Sequence, residues 1–123
     1  MAVNILIVDD SALIRRSIRS CLEQKTDWTV SGEAENGKVA VEMVRRMKPD
    51  LVILDLTMPI MNGLDAARAI AAIAPDIPVI LFTLHNCASL LEAAQRVGIK
   101  HVFSKTNGFG DHVVAAMRAM LPA

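Results

Sequence analysis

Five short apolar runs alternate with five segments of helical period, and this alternation restricts the fold more than any other feature of the sequence. The runs lie at 3–8, 28–34, 51–54, 78–82 and 99–104. A βα order of this kind predicts an α/β domain with a parallel sheet and helices on both of its faces. Ile14, Ile18, Cys21 and Leu22 share one face of the first helical segment, and Ala40, Met43, Val44 and Met47 one face of the second. Leu64, Ala67, Ile70, Ala71 and Ala74 are assigned the same way in the third. Cys87, Leu91, Ala94 and Val97 form the stripe of the fourth, and Val113, Val114, Met117 and Leu121 that of the fifth. Pro49, Pro75 with Pro78, and Gly98 mark three helix exits, since proline cannot continue a helix and glycine tolerates a left-handed cap.

Strand order follows from polarity. The runs at 3–8, 51–54 and 78–82 are almost wholly apolar, as strands covered on both faces must be, whereas Trp28 to Ala34 alternates. Lys100, His101 and Ser104 make the last run more polar too. Placing these two runs at the edges, with right-handed crossovers, predicts a single doubly wound, flavodoxin-like sheet of order 2-1-3-4-5 with five helices. The 123 residues suit one domain over 1–123, long enough to bury roughly two thirds of its unfolded surface. The apolar fraction is 53%, but acids, Arg or Asn interrupt every apolar stretch well before the roughly 20 residues of a membrane span. The N-terminus has no basic stretch before its apolar run, so no signal peptide is expected and a cytoplasmic location is. Formal charge is zero and the basic residues are scattered, which argues against nucleic-acid binding by this chain. Cys21 and Cys87 have no metal-ligand spacing and are expected to be reduced, partly buried thiols.

In a parallel sheet of this order the strand ends lie on one edge, with the binding crevice between the first and third strands. Asp9 and Asp10 finish the first run, Asp55 the third, Thr83 the fourth and Lys105 the fifth. Alone, each has an ordinary reading: Asp9-Asp10 or Ser11 as a helix cap, Thr83 as a strand residue, Lys105 as a solvated edge charge. Together they compose a phosphoryl-transfer site. Three carboxylates within a few ångströms repel one another, and a hard divalent ion such as Mg²⁺ relieves that while leaving positions for phosphate oxygens. Asp55 is the candidate nucleophile. The loop Leu56-Thr57-Met58-Pro59-Ile60-Met61-Asn62-Gly63 is expected to wrap the site, with Gly63 making a left-handed turn. Thr83 would bring a movable hydroxyl and Lys105 a point charge. His101 and His112 are expected at the surface or rim, and His85, two residues past Thr83, at the mouth of the site. A haloacid-dehalogenase-like phosphatase also uses a strand-end aspartate, but it wants an acid two residues later, where Thr57 stands. A flavodoxin-like electron carrier needs a hydroxyl- and Gly-rich loop after the first strand, where this chain has Asp9-Asp10-Ser11-Ala12.

The whole pattern resembles the receiver domain of two-component response regulators. It is carried by Ile5-Leu6-Ile7-Val8-Asp9-Asp10-Ser11, by Asp50 through Pro59 with Met61-Asn62-Gly63, and by Thr83 and Lys105. The resemblance implies a regulatory phosphoacceptor, not a turnover enzyme, which takes a phosphoryl group onto Asp55 from a sensor histidine kinase or phosphotransfer protein. It further implies that Asp9, Asp10, Asp55 and the backbone carbonyl of Thr57 hold Mg²⁺, that Thr83 swings toward the phosphoryl group, and that Lys105 pairs with it. The face of the fourth helix, fifth strand and fifth helix would then act on an output domain, a partner or a second copy in a homodimer. The stretch Leu91 to Gly98 is similar to receivers that precede helix-turn-helix output domains. Two positions depart from the family pattern. Val102 stands where many receivers carry Tyr or Phe, with Phe103 expected on the opposite face, and Thr106-Asn107-Gly108 replaces a Pro after the lysine, which predicts a looser loop.

Overall fold

The computed structural model describes residues 2–84 and 87–121. Chain order is β1 (Asn4–Val8), α1 (Ala12–Lys25), β2 (Thr29–Ala34), α2 (Gly37–Met47), β3 (Leu51–Leu54), α3 (Gly63–Ile73), β4 (Val79–Thr83), α4 (Ala88–Arg96), β5 (His101–Ser104), a 3₁₀ turn (Lys105–Asn107) and α5 (Asp111–Met120). The strands form one parallel sheet in the order β2-β1-β3-β4-β5, as the polarity argument predicts. Every residue of β3 and β4 is buried, whereas the edge strands β2 and β5 are partly open.

Alternation along the strands splits the core into two layers. Leu6, Val8, Val52, Leu54, Val79 and Leu81 face one way, onto α2, α3 and α4; Ile5, Ile7, Leu51, Ile53, Ile80 and Phe82 face the other, onto α1 and α5. Each fully buried Leu or Ile contributes roughly 1.5–3 kcal/mol by leaving water, which makes a one-residue register slip prohibitive. Val102 and Phe103 fall in opposite layers, as expected. Phe103 also stacks on His101 and meets His112 edge-on, and both histidines are exposed.

The helix stripes hold for α1, α2 and α5, with two corrections elsewhere. In α3 the buried set is Gly63, Ala66, Ala67 and Ile70, and Ala71 is exposed. In α4, Leu90 and Ala94 are buried while Cys87 and Leu91 face outward. Cys87 is thus an exposed thiol, not a partly buried one. Gly98 adopts φ 86°, the left-handed cap its position predicts. Among the described residues, no helix is long and apolar enough to cross a membrane.

Edge strand β2 is tied to α1 by charge. Glu33 accepts from Arg15 Nε on Oε1 at 2.9 Å, and from Arg19 Nε and Nη2 on Oε2 at 2.9 and 2.6 Å. Burial pushes the Glu33 carboxyl up, but bonds and charge from Arg19 and Arg15 outweigh it and hold Glu33 below its ordinary value of 4.5. A depressed acid contributes stability that is present above its unfolded pKa and is lost as pH falls through the folded one. Glu33→Gln is therefore expected to cost about 1 kcal/mol at neutral pH, limited by solvent screening. The gap between variant and wild type in urea unfolding should close as pH drops below 4.5. A gap independent of pH would assign it to packing.

Candidate functional site

Register brings the predicted side chains to one edge. Val8 lies beside Leu54, so Asp9 and Asp55 leave β1 and β3 at the same level, and the Asp55 N–H donates to the Val8 carbonyl at 2.9 Å. Leu54 pairs with Leu81 and Thr83 with Ser104, which puts Thr83 one residue beyond the level of Asp55, and Lys105 directly after Thr83's partner. Asp9 and Asp55 are buried at 2% and 6% exposure, Thr83 is fully buried, and Asp10 is exposed. Thr57 is exposed in the loop two residues past Asp55. His85 lies outside the described residues.

The acids converge. One carboxylate oxygen from each of Asp9, Asp10 and Asp55 lies within 4.8 Å of the others. At that separation two unit charges repel by roughly 3 kcal/mol at an effective dielectric of about 20. Lys105 compensates part of this, with Nζ 2.7 Å from Asp9 Oδ2 and 3.2 Å from Asp55 Oδ2. The remaining oxygens accept backbone donors: Asp9 Oδ1 from the Ser11 N–H at 2.9 Å, and Asp55 Oδ1 from the Leu56 N–H at 2.8 Å. Burial, with the charge of Asp9, raises the Asp55 carboxyl above its ordinary 3.8 despite the opposing pull of Lys105. Burial disfavours the Lys105 ammonium, but its bond to Asp9 and the charges of Asp55 and Asp9 prevail and raise it above 10.5. Folding therefore strains the Asp55 charge and favours that of Lys105. Three oxygen ligands of hard character suit Mg²⁺ and not a soft metal.

Local sequence explains how each part is held. Ser11 caps α1 by accepting from the Ile14 N–H, which is worth about 1 kcal/mol and fixes the turn just after Asp9-Asp10. The loop after Asp55 is closed by Gly63 N–H to the Leu56 carbonyl at 2.8 Å and by Gly37 N–H to the Met61 carbonyl at 3.1 Å. Gly63 does not adopt a left-handed conformation; Ile60 does, at φ 70°, inside a tight turn closed by Met61 N–H on the Pro59 carbonyl at 2.7 Å. Gly63 is required for a different reason. A Cβ there would collide with the Asp55 carbonyl oxygen and lie 2.9 Å from Leu56 Cα, both of them backbone. Gly63→Ala is accordingly expected to destabilise by about 2 kcal/mol, read by chemical denaturation, and to disturb the backbone carrying Asp55. Wild-type stability in that variant would show that the loop yields freely.

Thr106 and Asn107 sit in the 3₁₀ turn, where the Ser104 hydroxyl accepts from the Thr106 N–H at 3.2 Å. Sequence reasoning also missed Arg15, whose Nη1 donates to the Asp9 carbonyl at 2.6 Å. Its signal was weak, because an arginine in the second turn of a helix is normally solvated.

A family model described as the response regulator receiver domain matches residues 5–117. A protein-glutamate methylesterase/protein-glutamine glutaminase from Methanococcoides burtonii is 44% identical over 108 residues, covering 86% of this chain and 30% of that protein. The chemotaxis protein CheY of Thermotoga maritima is 37% identical over 105 residues, covering 85% of this chain and 87% of that one. The crystal structure of the response regulator domain of Thermotoga maritima CheB superposes with a TM-score of 0.88 at 28% identity, covering 98% of this chain and 96% of that one. The chain spans only 30%, 21%, 25% and 29% of the length of four methylesterase relatives. The matches include a transcriptional regulatory protein of Bacillus subtilis beside the methylesterase and chemotaxis kinds, so they span more than one kind of output.

Proposed function

Because the chain belongs to the response regulator receiver domains of two-component signalling, we propose that residues 1–123 form one phosphoacceptor domain that takes a phosphoryl group onto Asp55 from a phosphohistidine donor. The donor would be a sensor histidine kinase or a phosphotransfer protein. The observation that carries this reading is the convergence of Asp9, Asp10 and Asp55 within 4.8 Å, with Lys105 bonded to two of them.

An Asp55 carboxylate oxygen attacks phosphorus, the bond from phosphorus to the donor imidazole nitrogen breaks, and that nitrogen keeps the electron pair and is left to take a proton. Asp9, Asp10, Asp55 and the Thr57 carbonyl would hold Mg²⁺, which when bound supplies positive charge for the equatorial phosphoryl oxygens. Lys105 moves from its carboxylate partners to the new phosphate, and the Thr83 hydroxyl turns toward the same group. These contacts need favour one of two conformations by only a few kcal/mol to shift the face of α4, β5 and α5. That face would act on an output domain, a partner or a second copy of the chain. With Val102 on β5, in the core layer that faces α4, in place of an aromatic, the shift would rest on Thr83 and backbone movement. A cytoplasmic setting fits a kinase-fed phosphoacceptor.

The haloacid-dehalogenase-like alternative is not favoured, since family membership is of the receiver kind and Thr57 replaces the acid that chemistry requires. Incubation with acetyl phosphate should label the wild-type protein in one round, only with Mg²⁺ present. Sustained multiple turnover of an aryl phosphate would support the phosphatase instead.

A further inference from the structure

Asp9 is held on every side of its backbone and side chain. Its N–H donates to the Ala34 carbonyl at 3.0 Å, its carboxylate accepts from Ser11 N–H and meets Lys105, and its carbonyl accepts from Arg15 Nη1 at 2.6 Å. The last contact differs from the others because it acts on the peptide joining Asp9 to Asp10. A peptide is planar, so a donor on its oxygen fixes the rotation of the whole plane, and with it the direction in which Asp10 leaves the turn. Asp10 is exposed, and its position depends on that backbone more than Asp9's does.

Arg15 is no loose surface charge. Its side chain is 16% exposed, and Glu33 on β2 grips Nε at 2.9 Å, aiming the other end of the guanidinium at the Asp9 carbonyl. Glu33 takes Arg19 on its second oxygen, so the two arginines share a brace but only Arg15 reaches the acid turn. A planar fork spans both acceptors at once, whereas a lysine ammonium can reach one of them but not both.

We propose that Arg15, braced by Glu33, is a positioning residue that orients the Asp9–Asp10 peptide and thereby sets the affinity of the acid cluster for a divalent cation. The inference rests on the reading of that cluster as the Mg²⁺ site. It makes a prediction whose sign is unusual. Arg15 is a cation near three acids, so by charge alone its removal should tighten Mg²⁺ binding. Positioning predicts the reverse, a loss of about tenfold or more, the typical effect of removing a group that orients metal ligands.

The test is calorimetric titration of the full chain with Mg²⁺, at a temperature well below the metal-free melting midpoint of every variant, which is measured in parallel. Arg15→Ala should bind at least about tenfold more weakly than wild type. Arg19→Ala, which also loses a bond to Glu33, should stay within about twofold, and Arg15→Lys should recover part of the loss. Equal or tighter binding by Arg15→Ala would overturn the proposal, as would an equal loss in Arg19→Ala or a lysine variant no better than alanine. Failure of the wild type itself to bind Mg²⁺ would instead sink the metal reading on which the proposal stands.

Discussion

Asp55→Asn is expected to reduce phosphoryl uptake from acetyl phosphate to less than about a thousandth of wild type, the scale of losing a nucleophile, while leaving the fold intact. The amide is nearly isosteric, and its oxygen can still accept from the Leu56 N–H, which Asp55 Oδ1 now does at 2.8 Å. What it lacks is an anionic oxygen able to form an acyl phosphate. The same substitution carries a second signature. Burial and Asp9 raise the Asp55 carboxyl, so the charged form is held at a cost in the folded protein. An acid raised in the folded state destabilises as pH climbs from its unfolded value through its folded one. Removing that charge should therefore stabilise the metal-free protein at neutral pH. Loss of uptake combined with gain of stability would be difficult to obtain from misfolding. A variant that remains labelled would move the nucleophile elsewhere.

The second large effect concerns Lys105. Its side chain is 12% exposed and its ammonium bridges Asp9 and Asp55, so Lys105→Ala leaves two buried carboxylates facing each other without their cation. Breaking a buried pair from one side typically costs about 3–5 kcal/mol, and the metal-free variant should unfold well below the wild type. Mg²⁺ should restore most of the loss, because a divalent cation among the same oxygens replaces the missing charge. Thermal unfolding with and without Mg²⁺ measures this directly: the metal-induced rise in midpoint should be larger in the variant. The phosphorylated variant should also lose the link between phosphorylation and partner binding. Equal midpoints in metal-free wild type and variant would mean that Lys105 does not compensate these acids, and unaltered phosphate-dependent binding would remove it from the switch.

Much of this arrangement was legible from residue types alone, for identifiable reasons. β1, β3 and β4 are buried on both faces, and only apolar runs satisfy that, so acids directly after them had to mark strand ends. The alternating pattern of β2 marked it as an edge because one of its faces meets solvent. The fourth helix was misread because Leu90 and Leu91 are adjacent, and either can begin an apolar stripe. Choosing between frames about 100° apart needs the position of the sheet, which periodicity within one helix does not contain. Gly63 shows a second limit. A glycine signals either a left-handed backbone or a close approach, and here the approach of Asp55's carbonyl decides, while the left-handed residue is Ile60, a β-branched side chain that sequence rules place elsewhere. Arg15 was invisible for a third reason: its partners are a backbone carbonyl and a glutamate on another element, and neither is paired with it by local spacing.

The claim on which the rest depends is that carboxylates from separate strands assemble a cation-dependent acceptor at position 55. Borohydride reduction of the protein after acetyl phosphate treatment converts an aspartyl phosphate to homoserine, which peptide mass mapping locates. Homoserine at position 55, formed with Mg²⁺ and absent when the metal is chelated, is the predicted result. Homoserine at another aspartate, or at position 55 in equal yield without metal, would contradict the account.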